Sequence, residues 1–258
     1  MAYSNSMAMS VACRRPLEAL QEGALQLGVP LTAGQRDVFC LYWRLLAEWN
    51  RRVNLTSAQA LEEAERVHFL DSLTVALALP PSVREGEGLV DVGSGAGFPG
   101  LPLAIAFPAL RVALVESVGK KVAFLRACVE ALGLGARVEV LHGRAEDLAH
   151  TPALREAFAA GVARALGPLA VSLELVLPFV RVGGRAIFPK KGGFTQEVER
   201  AIPAAEALGG GIPQVKWIDP SLLGPGRALV VVPKEHPTPL KYPRRAGIPV
   251  KRPLGVGW

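Results

Sequence analysis

The chain has few cysteines and no long hydrophobic run. Its three cysteines, Cys13, Cys40 and Cys128, form an odd set without the spacing of metal ligands, which argues against a disulfide framework and against a zinc site. We therefore expect reduced, structural thiols. No segment reaches the roughly 18 uncharged apolar residues of a membrane span, and residues 1–16 lack the apolar stretch of a secretion signal. These absences predict a cytoplasmic protein with neither a metal nor a membrane partner.

Two further absences limit which atom would react if the chain modifies a nucleic-acid base. No Asn/Asp-Pro-Pro-Tyr sequence, which amino-group methyltransferases use to hold an exocyclic nitrogen, follows the fourth predicted strand. No cysteine ends a predicted strand, which argues against covalent attack on a pyrimidine. If the chain modifies a base, a ring nitrogen with a free lone pair is therefore the favoured nucleophile.

The positive charge is concentrated near the C-terminus. The chain has 29 Lys and Arg against 23 Asp and Glu, a net charge of +6. Residues 234–252 contain one acid and six basic residues: Lys234, Lys241, Arg244, Arg245, Lys251 and Arg252. Four prolines and Tyr242 in this segment predict an extended arm that presents guanidinium groups and one stacking ring. By composition alone, polyanion binding and a merely solvated tail both stay open.

The apolar pattern changes near residue 85. Before it, apolar residues recur at three- and four-residue steps over 38–49 and 61–77, which predicts helices. After it, helical segments alternate with seven predicted strands, at 89–93, 111–116, 136–141, 161–166, 185–189, 214–218 and 227–233. We therefore predict an α/β fold, Rossmann-like, with a mostly parallel seven-stranded sheet that contains one antiparallel strand. The predicted divisions are a disordered extension (1–16), a helical N-terminal region (17–85), a catalytic domain (86–236) and a basic, proline-rich C-terminal arm (237–258).

A glycine-rich turn follows the first predicted strand. Asp91 ends the apolar run, and Gly93, Gly95 and Gly97 let the backbone approach a bulky ligand. Glu116 ends the next strand, about 20 residues after the turn, where an acid can accept both ribose hydroxyls. The sequence therefore predicts a nucleotide-cofactor site, although Gly95, Gly97 and Gly100 also match the dinucleotide fingerprint, and a purely structural turn stays open.

The other strand ends carry further candidates. Ala145 and Glu146 follow the third strand and could border an adenine, or they could simply begin a helix. Arg164 lies in an apolar, glycine-flanked strand, where a charge needs a partner: a substrate group or a structural salt bridge. Lys190 and Lys191 add positive charge at the end of the fifth strand. For His68 and Asp71, three residues apart, we expect packing or capping, since a metal would need a third ligand.

Five stretches together resemble one known family. They are 49–57 (WNRRVNLTS), 68–73 (HFLDSL), 90–100 (VDVGSGAGFPG), 163–166 (ARAL) and 242–253 (YPRRAGIPVKRP). The chain is similar to the bacterial 16S rRNA guanine-N7 methyltransferases called RsmG or GidB. The resemblance implies an S-adenosylmethionine-dependent, Rossmann-like methyltransferase with an N-terminal helical appendage, acting on a guanine in the 530-loop region of 16S rRNA.

The resemblance implies cofactor contacts at Gly93, Phe98, Glu116, Ala145, Glu146 and Arg164. Taken with the turn, the strand ends and the charge pattern described above, it gives the full set of expected roles. Those expected to bind the cofactor are Asp91, Gly93, Gly95, Gly97, Phe98, Glu116, Ala145, Glu146 and Arg164. Those expected at the reacting base are Arg164 and Lys190. Those expected to bind RNA are Lys190, Lys191, Arg244, Arg245, Lys251 and Arg252. The family commonly has Lys-Gly where this chain has Lys190-Lys191, so the role of Lys191 stays open.

Two other functions stay open at this stage. One is an NAD(P)-dependent oxidoreductase, which the register of Gly95, Gly97 and Gly100 favours. The other is a non-catalytic rRNA-binding assembly factor, against which the intact Glu116 and Arg164 argue. We expect a monomer that acts on 16S rRNA or on the small ribosomal subunit.

Overall fold

The computed structural model of the chain describes residues 17–255, and the extension predicted at 1–16 lies outside this range. Within it, Cys128 is a free, buried thiol. Cys40 is disulfide-bonded, so the expectation of three reduced thiols is wrong for this residue. No helix in the described part of the chain is long and apolar enough to cross a bilayer.

The N-terminal region is helical, as predicted. Its helices are α1 (Glu18–Gln26), α2 (Ala33–Asn50), α3 (Ala58–Glu62), a π-helical turn (Glu65–Leu70), α4 (Asp71–Leu73), a 3₁₀ turn (Thr74–Leu77) and α5 (Pro81–Arg84). A capping box begins α2: Thr32 Oγ1 accepts from the backbone N–H of Gln35, and Gln35 Oε1 accepts from that of Thr32. Gln35 Nε2 also donates to the carbonyls of Ile105 and Ala106, both at 2.9 Å. The side chain of Gln35 thus caps the start of α2 and also links this helix to the sheet domain.

A seven-stranded sheet forms the centre of the molecule. Its strands are β1 (Gly88–Val92), β2 (Arg111–Glu116), β3 (Val138–His142), β4 (Phe158–Val162), β5 (Val180–Lys191), β6 (Gln214–Trp217) and β7 (Arg227–Pro233). They lie in the order β3-β2-β1-β4-β5-β7-β6, and β7 alone runs antiparallel to its neighbours β5 and β6. The prediction of a mostly parallel sheet with one antiparallel strand is confirmed.

The predicted position of β4 is wrong by about three residues. The strand ends at Val162, so Arg164 follows it and does not lie inside it. Ala165 has a left-handed φ of 55°, which an extended strand cannot contain. The apolar stretch 161–166 (GVARAL) therefore spans both the strand end and the first residues of the loop.

Helices cover both faces of the sheet and create two cores. They are α6 (Gly100–Ala106), α7 (Gly119–Ala131), α8 (Ala145–Leu148), α9 (Leu169–Val176), a 3₁₀ turn (Leu177–Phe179), α10 (Thr195–Ala207), α11 (Pro220–Leu223) and α12 (Ile248–Lys251). On one face, α6 and α7 share a core with the N-terminal helices, which contribute Phe39, Tyr42 and Phe69. On the other face, α9 and α10 pack against the alternate residues of the strands. The N-terminal helices are therefore packed against the sheet domain.

The described part of the C-terminal arm is folded back onto the domain. Tyr242 is buried in the core beside α9 and α10, and Arg155 donates to the carbonyls of Thr238 and Tyr242 at 2.7 and 3.0 Å. Arg244 makes four hydrogen bonds to Glu174, which is fully buried. An extended arm that presents Tyr242 and Arg244 is therefore a wrong prediction: the buried carboxylate requires a partner, and the arm supplies it.

Replacing Arg155 should loosen the arm. The Arg155→Ala substitution removes hydrogen bonds to four backbone carbonyls, and among the described residues it leaves those of Ala149, Thr238 and Tyr242 without a donor. We expect the free energy of unfolding to fall by about 1–3 kcal/mol and residues 237–247 to become sensitive to limited proteolysis. Urea denaturation and digestion measure both. The control Arg245→Ala removes an exposed arginine of the same arm; equal loss in the two variants would contradict the anchoring role of Arg155.

Candidate active site

The carboxyl ends of the parallel strands bring the predicted residues to one edge of the sheet. Glu116 is the last residue of β2, Ala145 is the first residue of α8 after β3, and Lys190 is the second-to-last residue of β5. Arg164 follows β4 by two residues. This edge, where connections reverse direction across an open sheet, is where ligands bind in such folds.

The glycine turn after β1 has the backbone that its sequence predicts. Gly93, Gly95 and Gly97 all have positive φ, at 72°, 59° and 92°. A Cβ at Gly97 would lie 2.7 Å from the hydroxyl of Tyr42, which itself donates to the carbonyl of Ala96. At Gly95, by contrast, the nearest atom to an added Cβ is 3.8 Å away. Tyr42 of the N-terminal region therefore packs against the turn at Gly97, whereas the space next to Gly95 is open.

Two buried carboxylates flank this turn. Glu116 accepts the backbone N–H of Gly95 at 2.9 Å and that of Val118 at 2.8 Å. Asp91 is fully buried, and its Oδ2 accepts the N–H of Gly100 at 2.9 Å. Burial raises the pKa of Asp91 to about 7, against the opposing effect of that hydrogen bond. Asp91 Oδ1 has no hydrogen-bond partner among residues 17–255.

These features fit a nucleoside cofactor with a cationic centre. Glu116 ends β2 and Glu146 is the second residue of α8, so both acids lie where ribose and base contacts are expected. The orphaned carboxylate oxygen of Asp91 is an acceptor for a donor group, and the space over Gly95 allows close approach to the backbone. Among residues 17–255 there is no group of three potential metal ligands.

An ion network that the sequence did not reveal lies beside the turn. Arg164 Nη1 donates to Asp71 Oδ2 at 3.0 Å and to the carbonyl of Val67 at 3.1 Å, and Nη2 lies 3.2 Å from His68 Nδ1. Arg227 binds the other oxygen of Asp71. Asp71 therefore forms ion pairs with two arginines, and the packing or capping role predicted for it is wrong.

Arg227 escaped the sequence analysis for a topological reason. It is the first residue of β7, and in a parallel strand the first residue lies at the edge opposite to the ligand edge. Since β7 is antiparallel to β5, its first residue pairs with Lys191 at the ligand edge. The predicted reversal of direction at the last strand was the signal that could have found it.

Phe98 joins the glycine turn to this network. Its ring stacks on that of His68, with centroids 4.5 Å apart and planes inclined by 15°, and the Arg164 guanidinium carbon lies 4.9 Å from its centroid. Tyr42 and Phe69 pack against the same ring. The side chain of Phe98 is thus buried among residues of the N-terminal region and beside Arg164.

A cavity of about 270 Å³ opens next to Arg164. Its lining includes Asp71, Leu166, Lys190, Lys191 and Arg227. Lys190 Nζ forms a salt bridge of 2.8 Å with Glu197 of α10, whereas Lys191 is exposed. Four cationic side chains and one carboxylate of this lining give the cavity a positive character that suits an electron-rich base and its phosphates.

The remaining predicted residues lie in α8 and in the C-terminal arm. Ala145 and Glu146 are both buried, and Glu146 Oε1 accepts the N–H of Gly247 in the arm at 3.0 Å. Arg245, Lys251 and Arg252 are exposed. Arg244 differs from these three exposed cations, because its guanidinium group forms a salt bridge with Glu174.

The pKa of His68 makes stability depend on pH. Burial, and secondly the charge of Arg164, lower its pKa from 6.5 to about 4. The ring is thus neutral at pH 7, so Nδ1 accepts from Arg164, and Nε2 donates to Thr56 Oγ1 at 2.7 Å. The unfolded chain binds this proton first, so the contribution of His68 is complete above pH 6.5 and is lost as the pH falls to about 4.

This pH dependence can be tested with a variant that lacks the titrating group. Between pH 7 and pH 4 we expect the wild type to lose up to about 3 kcal/mol more unfolding free energy than His68→Gln does. Urea denaturation at several pH values measures the difference. Parallel curves for the two proteins would show that His68 is not held neutral.

Comparison with known proteins agrees with this geometry. The family model for rRNA small subunit methyltransferase G, called GidB, matches residues 35–211. A protein named ribosomal RNA small subunit methyltransferase G from Dehalococcoides mccartyi is 42% identical over 238 residues, 92% of this chain and 100% of that protein. The protein of the same name from Moorella thermoacetica is 46% identical over 231 residues, 88% of this chain and 93% of that protein.

Solved structures show the same fold at low identity. A SAM-dependent O-methyltransferase from Thermotoga maritima is 18% identical, with a TM-score of 0.51 over 70% of this chain and 71% of that one. A mutant of MtNAS in complex with S-adenosylmethionine is 20% identical, with a TM-score of 0.51 over 78% and 76%. The sheet order and these neighbours confirm the methyltransferase fold, and the sequence matches show that this chain belongs to the rRNA small subunit methyltransferase G (GidB) family.

Proposed function

We propose that this chain transfers the methyl group of S-adenosylmethionine to N7 of a guanine in 16S rRNA. The observation that carries the proposal is the cationic cavity of Arg164, Lys190 and Arg227, which adjoins the glycine turn through Phe98. The membership in the methyltransferase G family supports both the donor and the rRNA substrate.

The chemistry needs little from the protein beyond alignment. Guanine N7 is a hydrogen-bond acceptor that carries no hydrogen, so its attack on a sulfonium methyl group requires no general base. S-adenosylmethionine supplies that electrophilic methyl group. Holding nucleophile and acceptor carbon in line supplies roughly 7–11 kcal/mol of the barrier, more than proton transfer usually contributes.

Arg164 is suited to orient the base. Its guanidinium has five N–H groups, and the contacts to Val67, Asp71 and His68 use three of them, which leaves two. These two can donate to guanine O6 or to a neighbouring phosphate, as an arginine fork does. Lys190 adds charge at the same cavity, while Glu116, Glu146 and the glycine turn hold the cofactor.

The target guanine must be accessible outside a duplex. N7 of a paired guanine lies in the deep, narrow major groove of A-form RNA, which side chains cannot read. The substrate is therefore a loop nucleotide or one that is flipped out. The exposed cations Lys191, Arg245, Lys251 and Arg252 contact its phosphates, whereas Arg244 mainly anchors the arm.

We also propose that the protein acts in the cytoplasm, because its proposed substrate is ribosomal RNA, and that it acts as a monomer.

The dinucleotide alternative is not favoured. Gly100 would be the third glycine of its fingerprint, which packs the helix closely against the strand. Gly100 does so here, since its N–H donates to Asp91 and an added Cβ would lie 2.5 Å from Leu114. The packing of Gly100 is therefore compatible with either function and does not separate them. The family contains methyltransferases by name, which disfavours both an oxidoreductase and a vestigial, non-catalytic assembly factor.

Removing the Arg164 fork should impair turnover. We expect Arg164→Ala to lower kcat for 16S rRNA about 100-fold or more, because the base loses its orienting donors. Arg164→Lys, which keeps the charge without the fork, should rescue only part of this. The assay is transfer of labelled methyl from S-adenosylmethionine, with circular dichroism to confirm folding.

The matched control is Arg200→Ala, since Arg200 is an exposed arginine of α10. It should leave kcat unchanged. A folded Arg164→Ala variant with the wild-type rate would exclude Arg164 from the reaction.

The arm should contribute to the salt dependence of RNA binding. Replacing Arg245, Lys251 and Arg252 by alanine removes three exposed cations. If all three neutralise phosphates, the slope of log K against log salt should become shallower by about 2. Filter binding of an rRNA fragment at several salt concentrations measures this slope. A control triple variant of the exposed Arg111, Arg126 and Arg200 should keep it; equal slopes for both variants would contradict the proposed RNA contact.

A further inference from the structure

The C-terminal arm makes an ordered series of contacts along one side of the domain. Lys234, at its base, is buried and forms a salt bridge of 3.0 Å with Glu156. The N–H of Thr238 then donates to Glu156 at 2.7 Å, and His150 contacts the carbonyl of Pro243 at 2.9 Å. Each contact ties the chain to residues 150–156, which follow α8. The arm is therefore fixed relative to the segment that follows α8, the helix that contains Glu146.

The strongest anchor lies just before the cofactor edge. Glu174 of α9 is fully buried, and Arg244 satisfies both of its oxygens, with Nη2 at 2.6 Å and Nε at 2.9 Å. The carboxylate in turn raises the pKa of Arg244. A buried acid whose only ion-pair partner in the described residues is this arginine holds the arm firmly at this position.

Three residues later the arm reaches Glu146 itself. The N–H of Gly247 donates to Glu146 Oε1 at 3.0 Å, and Gly247 adopts a left-handed φ of 81° that directs the chain into α12. Glu146 belongs to α8, a helix of only four residues whose N-cap side chain makes no capping hydrogen bond. Within the described residues, the hydrogen-bond donor to this carboxylate comes from the arm and not from its own helix.

We propose that the arm is a positioning element of the cofactor site, acting through the hydrogen bond from Gly247 to Glu146. The inference rests on the proposed function, in which Glu146 borders the bound cofactor. Fixing a carboxylate and its short helix before the ligand arrives lowers the ordering cost of binding. The exposed Arg245 and Lys251 lie on either side of Gly247, so phosphates bound there contact the segment that holds Glu146.

A single glycine substitution tests the hydrogen bond. An alanine at Gly247 meets no atom within 4 Å, so Gly247→Ala perturbs only the left-handed backbone that aims the N–H. We expect the Kd for S-adenosylmethionine to rise about three- to tenfold, as for partial loss of a hydrogen bond to a charged group. KM for the cofactor should rise likewise, with kcat unchanged. Isothermal titration calorimetry of the full chain measures the Kd.

The matched control is Gly133→Ala. Gly133 also has a left-handed φ, of 67°, and an added Cβ there also meets no atom within 4 Å. It follows α7, away from the arm, so the same backbone strain should leave the Kd unchanged. Equal effects of the two substitutions would overturn the proposal.

A double-mutant cycle separates positioning from general stability. Glu146→Ala removes the acceptor, so Gly247→Ala should have almost no further effect on the Kd in that background. Independent, additive effects would overturn the positioning role while leaving the proposed function intact. A folded wild type that does not bind S-adenosylmethionine would instead overturn both.

Discussion

One buried carboxylate, that of Asp71, holds the candidate active site together. Its two oxygens bind Arg164 from the loop after β4 and Arg227 from the start of β7. A buried acid shared by two guanidinium groups is costly to disrupt, because removal of one partner leaves uncompensated charge. Asp71 belongs to the N-terminal region, so this region fixes two of the cations that line the cavity beside Arg164.

The cofactor turn depends on the same region through its aromatic residues. Phe98 of the turn stacks on His68, and the hydroxyl of Tyr42 holds the carbonyl of Ala96. The turn and the cavity beside Arg164 are therefore supported by one set of N-terminal helices. In the proposed function, a reaction that gains its rate from alignment requires such rigid support for both reactants. The proposal thus makes the helical region part of the catalytic architecture.

Local sequence patterns predicted the sheet, and they predicted that most of the candidate residues lie at one edge, because parallel strands bring their carboxyl ends together there. Glu116 and Lys190 could be placed at this edge in this way. Contacts between distant segments could not be predicted. Nothing in the spacing of His68 and Asp71 reveals that Asp71 pairs with Arg164, which lies 93 residues further along the chain. The arm was misjudged for a similar reason, since Glu174 reads as one acid in an apolar helix until the fold buries it beside Arg244.

The position of the transferred methyl group tests the central claim most directly. Purified protein would be incubated with unmodified 16S rRNA or small subunits and S-adenosylmethionine, and the RNA would then be digested and mapped by mass spectrometry. The account predicts one 7-methylguanosine, at an unpaired guanine of the 530-loop region. A methyl group on another atom or another base, or no methylation of either substrate, would contradict it.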